Sequence, residues 1–462
     1  MNAAIGASGG TGDAGDLAAA IAALSADDTA ICALGPCRLP SPVAAHLGPT
    51  AMSFVGAADR VLIDDSVQRL LRAGPIERLP AFELAGPRDR IFFDPRTVRC
   101  AIVTCGGLCP GLNNVIRGLV LELAHGYGVR HIQGFRYGYE GLIARLGHAP
   151  VALTPESVAN IHHGGGTVLG ASRGAQDPAE VVDNLEANGI GILFVVGGDG
   201  SMRGAMRVAD EIDRRGLRIA VVGVPKTIDN DIPFIDRSFG FETAYSAAVQ
   251  VNRTARVEAM GARDGIGLVK LMGRHSGFLA CQAALASADV DLVLIPEVPA
   301  HLDGPGGVLA CLERVLTRHG HAVVVAAEGA AQDLIDAQPG SPTDKSGNPR
   351  LKDVGAFLRD RIGAYFQARG REVTLKSIDP SYTIRSIPAS PSDSVFCWNL
   401  ARNAVHAAMA GNTAMLVGRW HGRFVHVPMA LATRRRKRVD PEGELWMSVI
   451  EATGQPRRFG PE

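Results

Sequence analysis

The sequence predicts an α/β protein built of parallel sheets covered by helices on both faces. Three observations lead there. From residue 99 on, apolar runs of strand length alternate with amphipathic helical stretches, the pattern of repeated β-α-β units. Glycine is over-used, at 55 of 462 residues, and many glycines directly follow strand-like runs, where backbone must approach a ligand closely. At about 100–200 residues per domain the length suits two or three domains, so two such sheets can face each other with a site between them.

The elements follow in order. Residues 1–50, rich in Ala, Gly, Asp and Pro, read as a mobile tail with a short Ala-rich helix over 16–24. Up to about residue 86 no dense pattern appears, and this region is expected to pack on the main body. A strand over 100–105 leads into a helix over 112–124. A strand over 190–196 leads into a helix over 201–214, closed by Gly216, and a strand over 219–224 precedes a long helix over 243–262. Strands over 290–295 and 321–327 flank a helix over 308–318. Helices over 352–367 and 394–410 and a late strand over 414–417 complete the pattern. In sheets of this kind ligands sit at the carboxyl ends of the strands.

Composition narrows the class. Hydrophobic residues at 46% and charged residues at 20% exclude a disordered chain and a membrane-embedded one. Lys and Arg total 47, as do Asp and Glu, so net charge gives no reason to expect nucleic acid or an anionic membrane as partner. No apolar run approaches the ~18 residues of a membrane span. The stretch 17–24 follows Asp13 and Asp16 instead of a basic start, which argues against a secretory signal. Cys32, Cys37, Cys100, Cys105, Cys109, Cys281, Cys311 and Cys397 are scattered, as expected of free thiols in a reducing cytoplasm. Cys105 and Cys109 lack a second ligand pair nearby and read as loop or buried thiols, not metal ligands. The basic run Arg434-Arg435-Arg436-Lys437-Arg438 is short, and reads as a solvated face or subunit contact in place of a nucleic-acid patch.

Six loops carry candidate chemistry. Gly106 to Asn114 follows a strand and opens a helix, so its amides and the helix N-terminus suit a phosphate; plain tight-turn geometry gives the same pattern. Gly197-Gly198-Asp199-Gly200-Ser201 puts a carboxylate at a strand end, suited to Mg²⁺ beside phosphate oxygens, or alternatively to capping the next helix. Pro225-Lys226-Thr227-Ile228-Asp229-Asn230-Asp231 is the most specific. Two carboxylates beside a Lys and a Thr suit a hydroxyl-activating site, one taking the proton while the other stays near the metal. In Lys270 to Gly277 the planar guanidinium of Arg274 suits a transferring phosphoryl group, or the stretch is a helix entry. Glu328-Gly329 ends a strand, where a buried ion pair is the other reading. Asp379 to Ser386 offers Tyr382 and Arg385, or is a surface turn.

Taken together and in this order, these loops resemble the 6-phosphofructokinase family, from about residue 85 to about 428. The segment GGLCPGLNNVIRG, with Ala85-Gly86-Pro87-Arg88 and Ile91-Phe92-Phe93 before it, is most similar to the plant-type ATP-dependent branch, which also has bacterial members. The resemblance implies two Rossmann-like parallel-sheet domains with the active site in the cleft between them. Residues 1–85 would be an N-terminal extension, 86–230 the donor-binding domain with 388–462 packing back on it, and 231–387 the sugar-phosphate domain. It implies fructose 6-phosphate and ATP as substrates, Mg²⁺ as cofactor, a homodimer or homotetramer, and the cytoplasm. Gly107, Arg173, Gly174, Gly198, Asp199, Gly200, Ser201 and Lys226 would meet the phosphoryl donor, with Asp199 on Mg²⁺. Asp229 would be the general base toward the sugar 1-hydroxyl. Thr227, Ile228, Met272, Gly273 and Glu328 would hold the sugar, Tyr382 and Arg385 its 6-phosphate, and Arg274 the transferring group. In the best-studied bacterial branch a neighbouring subunit supplies two arginines. One aligns with Gly265, which cannot serve, and the other with Lys376, which can.

The donor turns on two positions. Pyrophosphate users resemble Gly-Gly-Asp-Asp at the second loop and Pro-Lys-Thr at the third. Here Gly200 is paired with Lys226, as in plant-type and trypanosomal ATP users. A carboxylate at 200 would crowd and repel a nucleotide α-phosphate, so Gly200 favours ATP, with pyrophosphate the alternative.

Overall fold

The computed structural model describes residues 21, 23–43, 54–72, 75, 79–335 and 350–460. The expected tail and most of the helix over 16–24 lie outside the described residues.

Two sheets organise the chain. The larger runs, in spatial order, Arg60–Leu62, Ala81–Leu84, Arg423–Pro428, Met415–Trp420, Ala220–Pro225, Ile192–Gly197, Arg99–Thr104, His131–Phe135 and Val151–Ala152. From Met415–Trp420 to His131–Phe135 neighbouring strands are parallel. The flanking strands join antiparallel. The smaller sheet, Leu292–Leu294, His321–Ala327, Gly265–Leu271 and Thr374–Ile378, is parallel throughout.

The central strands are continuous apolar runs because both their faces are covered. In Ile192–Gly197 every residue is buried. Its side chains alternate between two cores: Ile192, Phe194 and Val196 face one, Leu193 and Val195 the other. The first core continues without a break into the smaller sheet through Ala244, Ala248, Val269 and Val325. Leu268, Leu312, Val324 and Leu358 form a third core on that sheet's outer side.

Most expected elements are present with shifted ends. The helix expected over 201–214 begins two residues earlier, as Asp199–Arg214. That over 243–262 is Phe241–Met260, and that over 394–410 is Pro391–Met409, capped by the Ser390 side chain. Thr374–Ile378 escaped the sequence pattern because it is a half-polar edge strand. The region before residue 86 does more than pack on the body, since Arg60–Leu62 and Ala81–Leu84 extend the larger sheet. The C-terminal segment divides. Met415–Trp420 and Arg423–Pro428 join the larger sheet, but Glu444–Thr453 sits beside Phe278–Ser287 of the other half. There the Gln455 side chain brackets the backbone of Val293, accepting from its N–H at 2.6 Å and donating to its carbonyl at 3.3 Å.

Candidate active site

The expected residues gather where carboxyl ends of parallel strands from both sheets meet. Within the larger sheet, Cys105 N–H donates to the Val196 carbonyl at 2.8 Å and Lys226 N–H to that of Gly197 at 2.9 Å, which sets three loops side by side. Within the smaller one, Glu328 N–H donates to Leu271 at 2.8 Å and Gly329 N–H to Gly273 at 3.0 Å. Across the two, the Ser276 hydroxyl donates to the Asp229 carbonyl at 2.9 Å, and the Arg274 amide approaches Asp229 Oδ2 at 3.4 Å.

On the donor side the buried Lys226 ammonium donates to the Gly107 carbonyl at 2.7 Å. Burial pulls its pKa below the usual lysine value. Gly106 has φ +85°, and a Cβ there would lie 3.4 Å from the Lys226 nitrogen; one on Gly107 would lie 3.1 Å from the Arg173 guanidinium. Gly106 N–H also donates to the Ser172 carbonyl at 2.9 Å, and Gly174 turns with φ 117°, so Arg173 and Gly174 belong to the same cradle. Ser201 lies in the first turn of its helix, its carbonyl accepting from the Tyr139 hydroxyl at 2.7 Å.

Asp199 corrects one expectation. It is neither a loop residue nor a helix cap. Gly198 occupies the cap position with extended backbone, and Asp199 is the first residue of the helix, where a carboxylate meets the positive end of the dipole. Burial raises its pKa, while Arg203 and Arg436 oppose the rise. Its Oδ2 accepts from Arg203 at 2.5 Å and lies 3.2 Å from Arg436; its Oδ1 is buried without a hydrogen-bond partner. Among the described residues no cluster of three or more His, Cys, Asp or Glu is arranged to hold a metal. One carboxylate with an uncommitted oxygen fits Mg²⁺, which takes one or two protein carboxylates and draws its other ligands from water and phosphates.

The Lys226–Asp231 loop is held by its own polar side chains. The Thr227 hydroxyl donates to Asp231 Oδ1 at 2.8 Å and accepts from the Asp229 amide at 3.1 Å. Asn230 takes a left-handed φ of 55°, which Asn tolerates, and its Oδ1 accepts from Ser238 N–H at 3.0 Å. Asp229 is the outlier. Burial, then the neighbouring Asp231 and Glu328 charges, push its pKa up to about 7. Its Oδ1 is buried with no partner, as expected of an oxygen awaiting a substrate proton. Glu328 is raised as well, chiefly by burial. Gly273 has φ 127°, and a Cβ on Gly329 would overlap the Arg274 carbonyl, so both glycines permit the close contact between these loops. Ile228 is buried and Met272 partly so.

The 6-phosphate candidates stand together. The Arg385 guanidinium lies 4.6 Å over the ring of Tyr382, which is 75% exposed, and Arg385 Nε is buried without a partner. Lys376 is not gathered with them; its ammonium pairs with Glu258 on the outer edge of the smaller sheet. Gly265 is buried at the start of the strand Gly265–Leu271, and a side chain there would overlap the Ala259 carbonyl oxygen.

The basic run is the second correction. It is not simply a solvated face. Arg436 spans the site, reaching Asp199 at 3.2 Å and Asp231 at 3.1 Å. Lys437 is half-buried, donates to the carbonyls of Ile235 and Asp236 at 3.0 and 3.1 Å, and has its pKa pulled down to about 8, chiefly by desolvation. Nothing in the local pattern distinguishes these two from their neighbours; only the return of the C-terminal chain brings them in.

The family model described as phosphofructokinase matches residues 99–408. The chain is 54% identical over 445 residues to an ATP-dependent 6-phosphofructokinase of Amycolatopsis methanolica, covering 95% of this chain and 97% of that one. It is 46% identical over 403 residues to ATP-dependent 6-phosphofructokinase 7 of Arabidopsis thaliana, covering 86% and 82%. A pyrophosphate-dependent phosphofructokinase structure from Marinobacter aquaeolei superposes with a TM-score of 0.62 at 20% identity, over 79% of this chain and 93% of that one, and so shares the fold. Both the ordered loops and the matched length lead to one conclusion: this chain belongs to the phosphofructokinase family.

Proposed function

We propose that this chain is an ATP-dependent 6-phosphofructokinase, carrying the terminal phosphoryl group of ATP to the 1-hydroxyl of fructose 6-phosphate. The observation that carries the reading is Asp229. Its carboxylate is buried, unpartnered at Oδ1, raised to about 7 and set between the donor loops and Arg274.

In this reading Asp229 Oδ1 accepts the proton of the 1-hydroxyl as the oxygen attacks. A base whose pKa lies near the working pH is ionised often enough to act, yet basic enough to hold the proton. Arg274 stabilises the charge on the group in transit. Lys226, Arg173 and the Gly107 amide hold the donor's phosphates, with Gly174, Gly198, Gly200 and Ser201 shaping the cradle. Bound through Asp199, Mg²⁺ supplies charge neutralisation on those phosphates. Thr227, Ile228, Met272, Gly273 and Glu328 line the sugar, and Tyr382 and Arg385 take its 6-phosphate. Lys376, turned to the outer edge, would serve a neighbouring subunit of a homodimer or homotetramer.

Further proposals are the assignment of the larger sheet to the donor and the smaller to the sugar phosphate, divided near residue 230, and a cytoplasmic location. Among the described residues no helix is long and apolar enough to cross a membrane. ATP is favoured over pyrophosphate because a Cβ on Gly200 would meet nothing within 4 Å, leaving room beside Asp199, and because both relatives named above are ATP-dependent. The deciding experiment measures fructose 6-phosphate turnover with ATP and, separately, with pyrophosphate at fixed free Mg²⁺. Turnover with ATP is expected; turnover with pyrophosphate alone would overturn the donor assignment, and turnover with neither would overturn the function.

A further inference from the structure

We propose that Arg436 competes with the donor's metal ion for the Asp199 carboxylate, serving as a built-in counter-charge that weakens metal binding there. The inference rests on the reading of Asp199 as the metal-side carboxylate.

The arrangement has the marks of a built position. Arg436 offers one nitrogen to Asp199 Oδ2 at 3.2 Å and the other to Asp231 Oδ2 at 3.1 Å, so one planar fork ties together carboxylates from two adjacent strand ends. Asp199 Oδ2 also accepts from Arg203 at 2.5 Å, a side chain 46% exposed and one turn along the same helix, so two guanidinium groups share that oxygen. Arg436 is fixed differently. The amide of the next residue, Lys437, donates to the Asp231 carbonyl at 2.8 Å, and the Lys437 ammonium donates to two more carbonyls. Two residues further, Val439 N–H donates to Glu297 Oε1 at 2.8 Å, the oxygen that also receives Gly277 N–H at 3.0 Å. The backbone on the C-terminal side of Arg436 is therefore pinned to the loops of both sheets, and its guanidinium is delivered to Asp199.

The consequence is electrostatic. The outer oxygen of Asp199 is covered by guanidinium groups, and the inner one, Oδ1, is buried and unpartnered. A divalent ion approaching either oxygen meets a like charge a few ångströms away. Metal binding at Asp199 is then opposed by Arg436 at either oxygen, which couples arrival of the metal to the C-terminal segment that carries it.

Mn²⁺ titration of the full-length protein without nucleotide, followed by the electron paramagnetic resonance signal of free Mn²⁺, tests this directly. Arg436→Gln should bind Mn²⁺ about tenfold tighter than wild type, the effect expected of removing one like charge at this range. Arg436→Lys keeps the charge but cannot span both carboxylates, so its affinity should fall between the two. Melting temperatures check the fold, and the Lys variant carries the test if the Gln variant is unstable. Asp199→Asn sets the background. If it binds Mn²⁺ as wild type does, the metal role of Asp199 itself is wrong. If it loses the site while both Arg436 variants bind no tighter than wild type, the competition is wrong and the metal reading stands.

Discussion

The side chain of Asp229 and the backbone of Arg274 meet across the two sheets, Oδ2 lying 3.4 Å from the amide nitrogen. The proposed base and the proposed phosphoryl-side cation are thereby registered to each other by main chain, independently of the Arg274 side-chain rotamer. In the proposed role of Asp229, that leaves Oδ1, buried and unpartnered, as the oxygen that would take the proton.

Replacing Asp229 by Asn should lower kcat by about 10²–10⁴, the usual contribution of a positioned general base, with little change in KM. Steady-state kinetics with fructose 6-phosphate varied are the check. A fall of less than tenfold would remove Asp229 from that role. The same variant should be more thermostable than wild type, by a margin that grows with pH. Because the folded pKa is raised from the usual aspartate range to about 7, wild type is penalised progressively as pH rises from about 4 to about 7, where the penalty levels off. Melting curves at pH 5 and pH 8 give the comparison.

The pH profile should follow the same group. The ionised form is the active one, so kcat/KM should fall as pH drops below about 7. Glu328 is one of the charges that hold Asp229 up, so Glu328→Gln should move this acid limb to lower pH even where it weakens sugar binding. A limb that stayed in place or moved up would mean that Glu328 does not act on the base.

Gly200→Asp should shift donor preference away from ATP. A side chain there has open space around it, and an acidic residue in the first helical turn suits the dipole, so the melting temperature should hold. The new carboxylate would stand next to Asp199, where like charges at about 4 Å cost roughly 1 kcal/mol in water and about 4 at an effective dielectric of 20. ATP carries its nucleoside and α-phosphate into that space, whereas pyrophosphate has neither. The ratio of kcat/KM for the two donors is the measurement, and an unchanged ratio would show that position 200 does not gate the choice.

Gly265→Ala should destabilise the smaller sheet by about 1–3 kcal/mol, the range for forcing an extra group into a packed core. The added Cβ would overlap the carbonyl of Ala259 at the end of helix Phe241–Met260. Chemical denaturation of the variant, with kcat under native conditions as control, separates this from a catalytic effect. A stability equal to wild type would mean that the helix end and strand part readily.

How much of this was written in the chain depends on the distance over which each signal acts. Strand, turn and helix are local matters. The runs Ile192–Gly197 and Ala220–Pro225, the glycines after them, and the carboxylates at 199, 229 and 231 could therefore be read in order, and with them the fold class and nearly every residue of the site. Helix ends were less legible: Asp199 looked like a loop residue because the Gly-rich turn hides the extended cap at Gly198. What the tertiary structure alone decided lies in contacts between residues far apart in sequence. Burial and two neighbouring acids from different loops raise Asp229, and no local pattern carries that sum. The C-terminal chain crosses from the larger sheet to the smaller one and, on the way, delivers Arg436 to Asp199 and Lys437 to the Ile235 carbonyl. A run of five basic residues is equally soluble wherever it lies; which of them meets a carboxylate is determined by the path of the backbone.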